Sequence, residues 1–197
     1  PGQHYTFPER SLMTRSIMRR GIFAATLALM TLGASYDSAA AQDGAPIQLS
    51  VFPPIQLTGE SESIRGVRLS LLFGRNENVT GLDWSFIANQ TTGNEKAWQL
   101  GMVGLVDGNF TGWQANGIAN VTKGEMYGVQ TGIINVTGSA RGFSWGGVNY
   151  SKGNYKGLQL AIVNYAQSMA GGVQVGLINI IKEGGMFPFF PIVNWGK

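Results

Sequence analysis

The string Gly157-Leu158-Gln159-Leu160-Ala161-Ile162-Val163-Asn164-Tyr165 returns fifteen residues later as Gly172-Val173-Gln174-Val175-Gly176-Leu177-Ile178-Asn179-Ile180. Self-similarity at a short fixed period decides the architecture before any single residue does, because each copy must pair with or stack on the next. Eight copies begin at Gly66, Gly81, Ala97, Gly112, Gly128, Gly142, Gly157 and Gly172, spaced 15, 16, 15, 16, 14, 15 and 15 residues apart.

Inside a unit, with its first residue numbered zero, positions 1 and 3 are mostly bulky, as in Leu82, Trp84, Trp98, Leu158 and Leu160. Position 2 is polar (Arg68, Asp83, Gln99, Gln114, Gln130, Ser144, Gln159, Gln174), and position 4 is mostly small. Period-two alternation makes a β-strand with one bulky apolar face and one small polar face. A helix would carry Gly at its centre, at a cost that argues against it. The class is all-β. Asp107-Gly108, Lys123-Gly124 and Gly153-Asn154 lie between units and favour tight turns.

Two architectures satisfy this pattern. With two-residue hairpin turns, an odd period keeps the bulky face on one side of every strand. That predicts an antiparallel up-and-down β-barrel of about 8–10 short strands, with the apolar face on outer-membrane lipid and the Gln/Gly/Ser face filling a narrow interior. The proline-containing end segments, residues 47–57 and 186–195, then supply the first and last strands. An extra residue in the unit at Gly112 is expected to be absorbed by a β-bulge. The alternative is a parallel β-solenoid, with the bulky face as internal core, proline-broken ends as caps, and Asn120, Asn135, Asn149, Asn164 and Asn179 as a hydrogen-bonded ladder. The apolar band is about 15 Å long, shorter than the ~25 Å band of membrane barrels, and this favours the solenoid. The hairpin-like turns favour the barrel, which is the primary expectation.

Residues 1–12 are expected to be an unstructured upstream leader and 13–41 a signal peptide. Arg15, Arg19 and Arg20 form its basic region, Gly21 to Leu32 its apolar stretch, and Ala39 and Ala41 its A-x-A cleavage site before Gln42. Residues 42–197 are read as one β-repeat domain, with repeat units at 66–180. Four of the 14 basic and two of the 11 acidic residues precede the cut, leaving ten against nine. That balance gives no support for nucleic-acid binding. With no cysteine in the chain, the fold holds by burial and backbone pairing rather than disulfides.

The one histidine, His4, lies in the leader, so no His-based triad or metal site is expected in the domain. Glu77, Glu95, Asp107, Glu125 and Glu183 read as turn acids, and Glu60 and Glu62 as a solvated loop. No recurring carboxylate pair suggests acid–base catalysis, and no Gly-rich loop leads into Lys-Ser/Thr and a helix. Neither an enzyme nor a cofactor is expected. Arg68 and Asp83 share the inward position in neighbouring units and are candidates for a buried ion pair. Trp84, Trp98, Trp113 and Trp145 occupy the bulky face and are candidates for an aromatic membrane interface or a carbohydrate platform. Six N-x-S/T sequons, at Asn78, Asn89, Asn109, Asn120, Asn135 and Asn149, follow from the repeat itself.

The G-[LV]-Q-[LV]-G-[LI]-[IV]-N pattern of Gly128–Asn135, Gly157–Asn164 and Gly172–Asn179 resembles a family of bacterial surface-repeat proteins. The flanking I-Q-L-S-V-F-P-P-I-Q-L, R-G-V-R-L-S-L-L-F-G-R-N and F-F-P-I-V-N segments are similar to that family's flanks. The resemblance covers about Ile47 to Trp195 and implies an exported surface or envelope protein with no carried-over catalytic residue. The expected function is a non-enzymatic envelope protein, structural or adhesive, in the outer membrane or at the cell surface. The alternative is a periplasmic or secreted solenoid that binds a glycan or protein ligand.

Overall fold

The computed structural model describes residues 44–197; the expected leader and signal peptide lie outside the described residues. Strands are the only regular elements among these: β1 Ala45–Phe52, β2 Ile55–Gln56, β3 Ile64–Ser70, β4 Phe73–Asn76, β5 Val79–Ser85, β6 Ala88–Thr91, β7 Glu95–Val106, β8 Phe110–Leu160, β9 Val163–Glu183 and β10 Phe189–Trp195. Equivalent positions of successive units pair in parallel. Gly66 faces Gly81, Arg68 faces Asp83, Trp98 faces Trp113 and Gln159 faces Gln174. The chain is a β-solenoid of about nine turns.

This overturns the up-and-down barrel. Asp107-Gly108 and Lys123-Gly124 turn the chain from one sheet of a coil to the other, and do not join antiparallel hairpins. The Gly108 and Gly124 amides bond back to Gly93 and Gly108 of the preceding turns, at 2.9 and 3.0 Å. The Asn94, Asn109 and Glu125 amides bond to the side-chain oxygens of Asn78, Asn94 and Asn109, each at 2.8 Å. Each turn thus templates the next along the rod. The end segments are not closing barrel strands either. β2 folds back antiparallel on β1, and β10 lies antiparallel on β9, blunting edges that a parallel stack would leave open.

The solenoid is also inverted relative to the expected one, because the bulky face is outside. Among the described residues, thirty-four large hydrophobic side chains are exposed, whereas twelve hydrophobic residues form the buried core. Inside, position 2 carries an amide ladder: Gln114 Nε2 donates to Gln99 Oε1 (2.8 Å), Gln130 to Gln114 (2.7 Å) and Gln174 to Gln159 (2.8 Å). Facing it is the Asn ladder, from Asn120 through Asn135, Asn149 and Asn164 to Asn179, with Nδ2–Oδ1 distances of 2.7, 2.8, 2.9 and 2.9 Å. A buried amide left unpaired costs more than the bond itself contributes. Parallel stacking at ~4.8 Å pairs most of these amides with a copy in the next coil, so a polar interior is tolerated; Gln130 Oε1 and Gln174 Oε1, at the ends of their runs, have no partner. The sequons at Asn89, Asn120, Asn135 and Asn149 are at most 1% exposed and are closed to glycosylation in the folded state.

Two columns of glycine let the coils approach. Gly128 has φ 132°, a region that side chains rarely adopt, and a Cβ there would strike the Gly112 carbonyl. At position 4, a Cβ on Gly176 would meet the Ala161 carbonyl and the Asn164 amide. Asn side chains bridge the sheets there, Asn120 donating to the Thr131 carbonyl at 2.9 Å, Asn135 to that of Trp145 at 3.0 Å and Asn164 to that of Val175 at 2.9 Å. The sheets therefore close to a narrow apex at positions 4 to 6. The opposite, wider end holds the apolar core of Val106, Phe110, Met126, Tyr155, Met169 and Ile181. The extra residue of the Gly112 unit falls at this apex: the register shifts between Gly101 and Val103, whose partners are Asn116 and Ala119.

One gap in the Gln ladder has a specific filling. Where Ser144 replaces Gln, and Ala140 leaves space beside it, Tyr155 leans across. Its hydroxyl donates to the Leu158 carbonyl (3.0 Å) and is hydrogen-bonded to Ser144 Oγ (2.9 Å). Burial pushes the phenol up to about 12, against the opposing pull of its Ser144 hydrogen bond.

Candidate functional site

Two constellations stand out, one sealed inside and one spread over the outside. The inner one begins with Arg68 on β3, which is fully buried. Its Nε donates to Asp83 Oδ1 (2.7 Å) and one terminal nitrogen to Asp83 Oδ2 (2.6 Å) and Thr91 Oγ1 (3.0 Å). The other donates to the Gln90 carbonyl at 3.0 Å. The structure thus brings the two sequence-selected residues together as a bidentate pair, inside a solenoid rather than a barrel. Asn89 and Gln99 complete the carboxylate's shell at 2.5 and 3.0 Å.

Glu95 is the member that sequence reasoning missed. It reads as a turn acid but is 2% exposed, 3.8 Å from Arg68, and takes the Gln99 amide on both oxygens at 3.0 Å. Thr91 donates to its Oε2 at 2.6 Å. The signal was in the columns: Glu95 stands two residues before Ala97, where other units carry Ile64, Val79, Phe110, Met126, Ala140 and Tyr155. Burial, then the Asp83 carboxylate, push the Glu95 carboxyl well above the usual range, against the pull of Arg68. Burial works against the Arg68 charge too, but Asp83 and Glu95 outweigh it and raise its pKa. Two buried carboxyl groups thus share one guanidinium, and Glu95 is the one whose proton is held more tightly. The cluster is closed to solvent and every hydrogen-bonding nitrogen of Arg68 that faces it is engaged, so its chemistry is structural. Among the described residues, no group of three or more His, Cys, Asp or Glu could hold a metal ion.

The outer constellation is the apolar surface. Trp84, Trp98, Trp113 and Trp145 all lie on the same outer sheet, 41, 49, 46 and 55% exposed. Trp98 and Trp113 stack at 5.7 Å and 14°, and Trp113 Nε1 donates to Thr131 Oγ1 at 3.1 Å. On the other sheet Tyr150 stacks on Tyr165 at 4.6 Å. Between the sheets runs the apex, where Leu71, Phe86, Ile133, Ile162 and Leu177 are each more than half exposed. The sequence pattern showed the bulky residues but not that the chain turns a corner among them. A shallow groove of about 440 Å³ opens there, lined by Trp145, Leu160, Ile162, Leu177 and Ile192.

The charges are segregated from this surface. From position 1 to position 8, no unit presents an outward charge; the two charged residues in that span, Arg68 and Asp83, point inward. The outward charges of the units, such as Lys96, Lys123, Arg141, Lys152 and Lys156, cluster towards the wide end. Some pair along the rod, with Lys123 bound to Asp107 at 2.7 Å and Arg141 to Glu125 at 2.9 Å. In cross-section each coil has an apolar apex and flanks, and a charged base.

Comparison with known proteins finds no matching family model, curated protein or solved structure. Among the described residues, no helix is long and apolar enough to cross a membrane.

Proposed function

We propose that this chain is an exported, non-enzymatic β-solenoid of the bacterial cell surface or envelope that works as a binding module through its outer apolar flanks and apex. One observation carries this reading: polar amides fill the interior, while an uncharged apolar surface runs along every repeat. Soluble monomers rarely expose contiguous apolar patches beyond a few hundred Å² unless the patch meets a partner. Export rests on the signal-like residues 13–41 and on the resemblance to surface-repeat proteins. It predicts a processed form whose N-terminal sequence begins at Gln42.

The binding role is tested by mixing the purified full chain with washed bacterial envelopes and pelleting them. The wild type is expected in the pellet. A variant with Leu158→Ser, Leu160→Ser and Val173→Ser, its β circular dichroism unchanged, is expected in the supernatant. Equal sedimentation of the two, or none for either, would refute the role. The stacked Trp98–Trp113 pair favours a second reading, a glycan ligand held on the ring faces. A glycan array on which Trp98→Ala and Trp113→Ala abolish a positive signal would select it.

A further inference from the structure

Building on that reading, we infer that the occupant of the apolar wedge is a single leaflet of a lipid bilayer, entered apex first while the charged base stays in water. Failure of this inference leaves the binding role standing unless envelope binding fails too.

Three observations select lipid. The first is depth. Four residues separate position 1 from the apex side chains at position 5, and at about 3.3 Å per residue the wedge is about 13 Å deep. Half of a ~30 Å hydrocarbon core is about 15 Å. The same shortness that argues against a spanning barrel suits insertion into one leaflet.

The second is shape. Apolar residues continue round the apex from one outer sheet to the other: Trp145 and Leu160 on one, Ile162 and Leu177 at the edge, Ile134 and Ile178 on the other. A second copy of the same convex edge can cover one flank and leaves the other in water. Fluid acyl chains conform to both flanks at once.

The third is charge. Immediately above the apolar band, at position −1 on the Trp-bearing sheet, stand Arg65, Lys96, Arg141 and Lys156. Lys152 and Lys182 border the band on the opposite sheet, where Asp107 holds the same position and is paired with Lys123. Excluding the buried cluster, the described residues carry nine basic against six acidic side chains. Cations at this level suit anionic headgroup phosphates. Long basic side chains can reach headgroups while their stems cover apolar surface. Parallel pairing along the rod satisfies the backbone of the interior coils, and β2 and β10 cover part of the two end coils.

The test uses the full chain with protein-free vesicles of phosphatidylethanolamine and phosphatidylglycerol. Sedimentation of sucrose-loaded vesicles is expected to carry the protein down, more strongly than phosphatidylcholine vesicles do. Acyl chains brominated at shallow or deep carbons then report depth through Trp quenching. A variant that keeps Trp84 and Trp145 (Trp98→Phe, Trp113→Phe, Trp195→Phe) is expected to be quenched more by deep bromines. A variant that keeps Trp98 and Trp113 (Trp84→Phe, Trp145→Phe, Trp195→Phe) is expected to be quenched more by shallow ones. Ile162→Asp with Leu177→Asp, at side chains 60 and 69% exposed, is expected to weaken partitioning at least tenfold without changing circular dichroism. If that pair does not fold, Ile162→Ser with Leu177→Ser replaces it, and the quenching order on wild-type-like folds stands independently. Equal quenching of both Trp sets, or folded apex variants that bind normally, overturns the inference. Envelope binding without vesicle binding overturns the lipid occupant alone. Concentration-dependent dimers in sedimentation velocity with no vesicle binding assign the apex to a second copy.

Discussion

Replacing Glu95 by Gln is expected to stabilise the protein, although the side chain is buried and hydrogen-bonded. Glu95 lies beside Asp83 around one guanidinium, and burial together with Asp83 raises its carboxyl well above the ordinary range. Below about pH 4.5, folded and unfolded chains both hold this proton and pH has no effect through Glu95. Above that, the unfolded chain releases it while the folded chain keeps it. Stability therefore falls as pH rises, by about 1.4 kcal/mol per unit until the folded carboxyl itself ionises. Gln keeps the shape and an acceptor for the cluster and has no proton to lose, so the slope disappears. Asp83→Asn removes the anion bonded to two nitrogens of Arg68 and leaves a buried charge, a loss of about 3 kcal/mol or more. Part of that loss is offset because Glu95, freed from its neighbour, can ionise and take Asp83's place. The double variant has no such reserve and should lose at least about 1 kcal/mol more than the sum of the singles. Urea unfolding followed by circular dichroism from pH 5 to 8 measures all four proteins. A Glu95→Gln variant that loses about 2 kcal/mol, with an unchanged pH slope, would refute the raised Glu95 carboxyl.

Gly157→Ala should cost about 2 kcal/mol or more, since its φ is 129° and the new Cβ meets the Gly142 carbonyl; Gly171→Ala, with φ 73° and open space around it, should cost only about 1 kcal/mol. Thermal melts of the two separate crowding from backbone strain. Asn149→Ala, which removes a donor to the Ser144 carbonyl and to Asn164 and an acceptor from Asn135, should cost about 2–4 kcal/mol. Asn149→Asp should be worse at pH 7 than at pH 4, because the ionised side chain cannot donate; urea midpoints at the two pH values check both. Tyr155→Phe should lose about 1–2 kcal/mol, and should remove from the ultraviolet titration a phenol that ionises only near pH 12. Ile192 is a β-branched residue at φ 70° and is 70% exposed, so Ile192→Gly should raise the melting temperature by relieving about 1 kcal/mol or more of strain.

Much of the fold is legible in the columns of the repeat. Alternation at Leu158, Gln159 and Leu160 makes a two-faced strand, and Arg68 and Asp83 at one position of adjacent units bring their charges together. Glu95 shows what a reading by local type misses. Next to a Gly-Asn turn it looks solvated, and only its place in an apolar column marks it as buried. The Trp positions could be assigned to the bulky face, but their common sheet and the apex that continues them could not. Positions 5 and 6 carry nothing that distinguishes a corner from a continuing strand; in one unit they are Leu71-Leu72 and in another Gly147-Val148.

By itself, the sequence determines that the chain is a β-repeat, which residues share a column, and that one face is bulky while the other is polar. Tertiary structure alone decides that successive units run parallel and that the polar face is the inner one. The odd period keeps the faces consistent in an antiparallel barrel as well as in a parallel coil, so parity cannot choose between them. The choice lies in bonds between residues about fifteen apart and across the two sheets. Asn120 meets Asn135 and reaches the Thr131 carbonyl at once, and Gly176 leaves the room that the Asn164 amide fills. An amide is a poor core residue when isolated and a good one when its own copy stacks on it. That difference turns the solenoid inside out and leaves its apolar face for a partner.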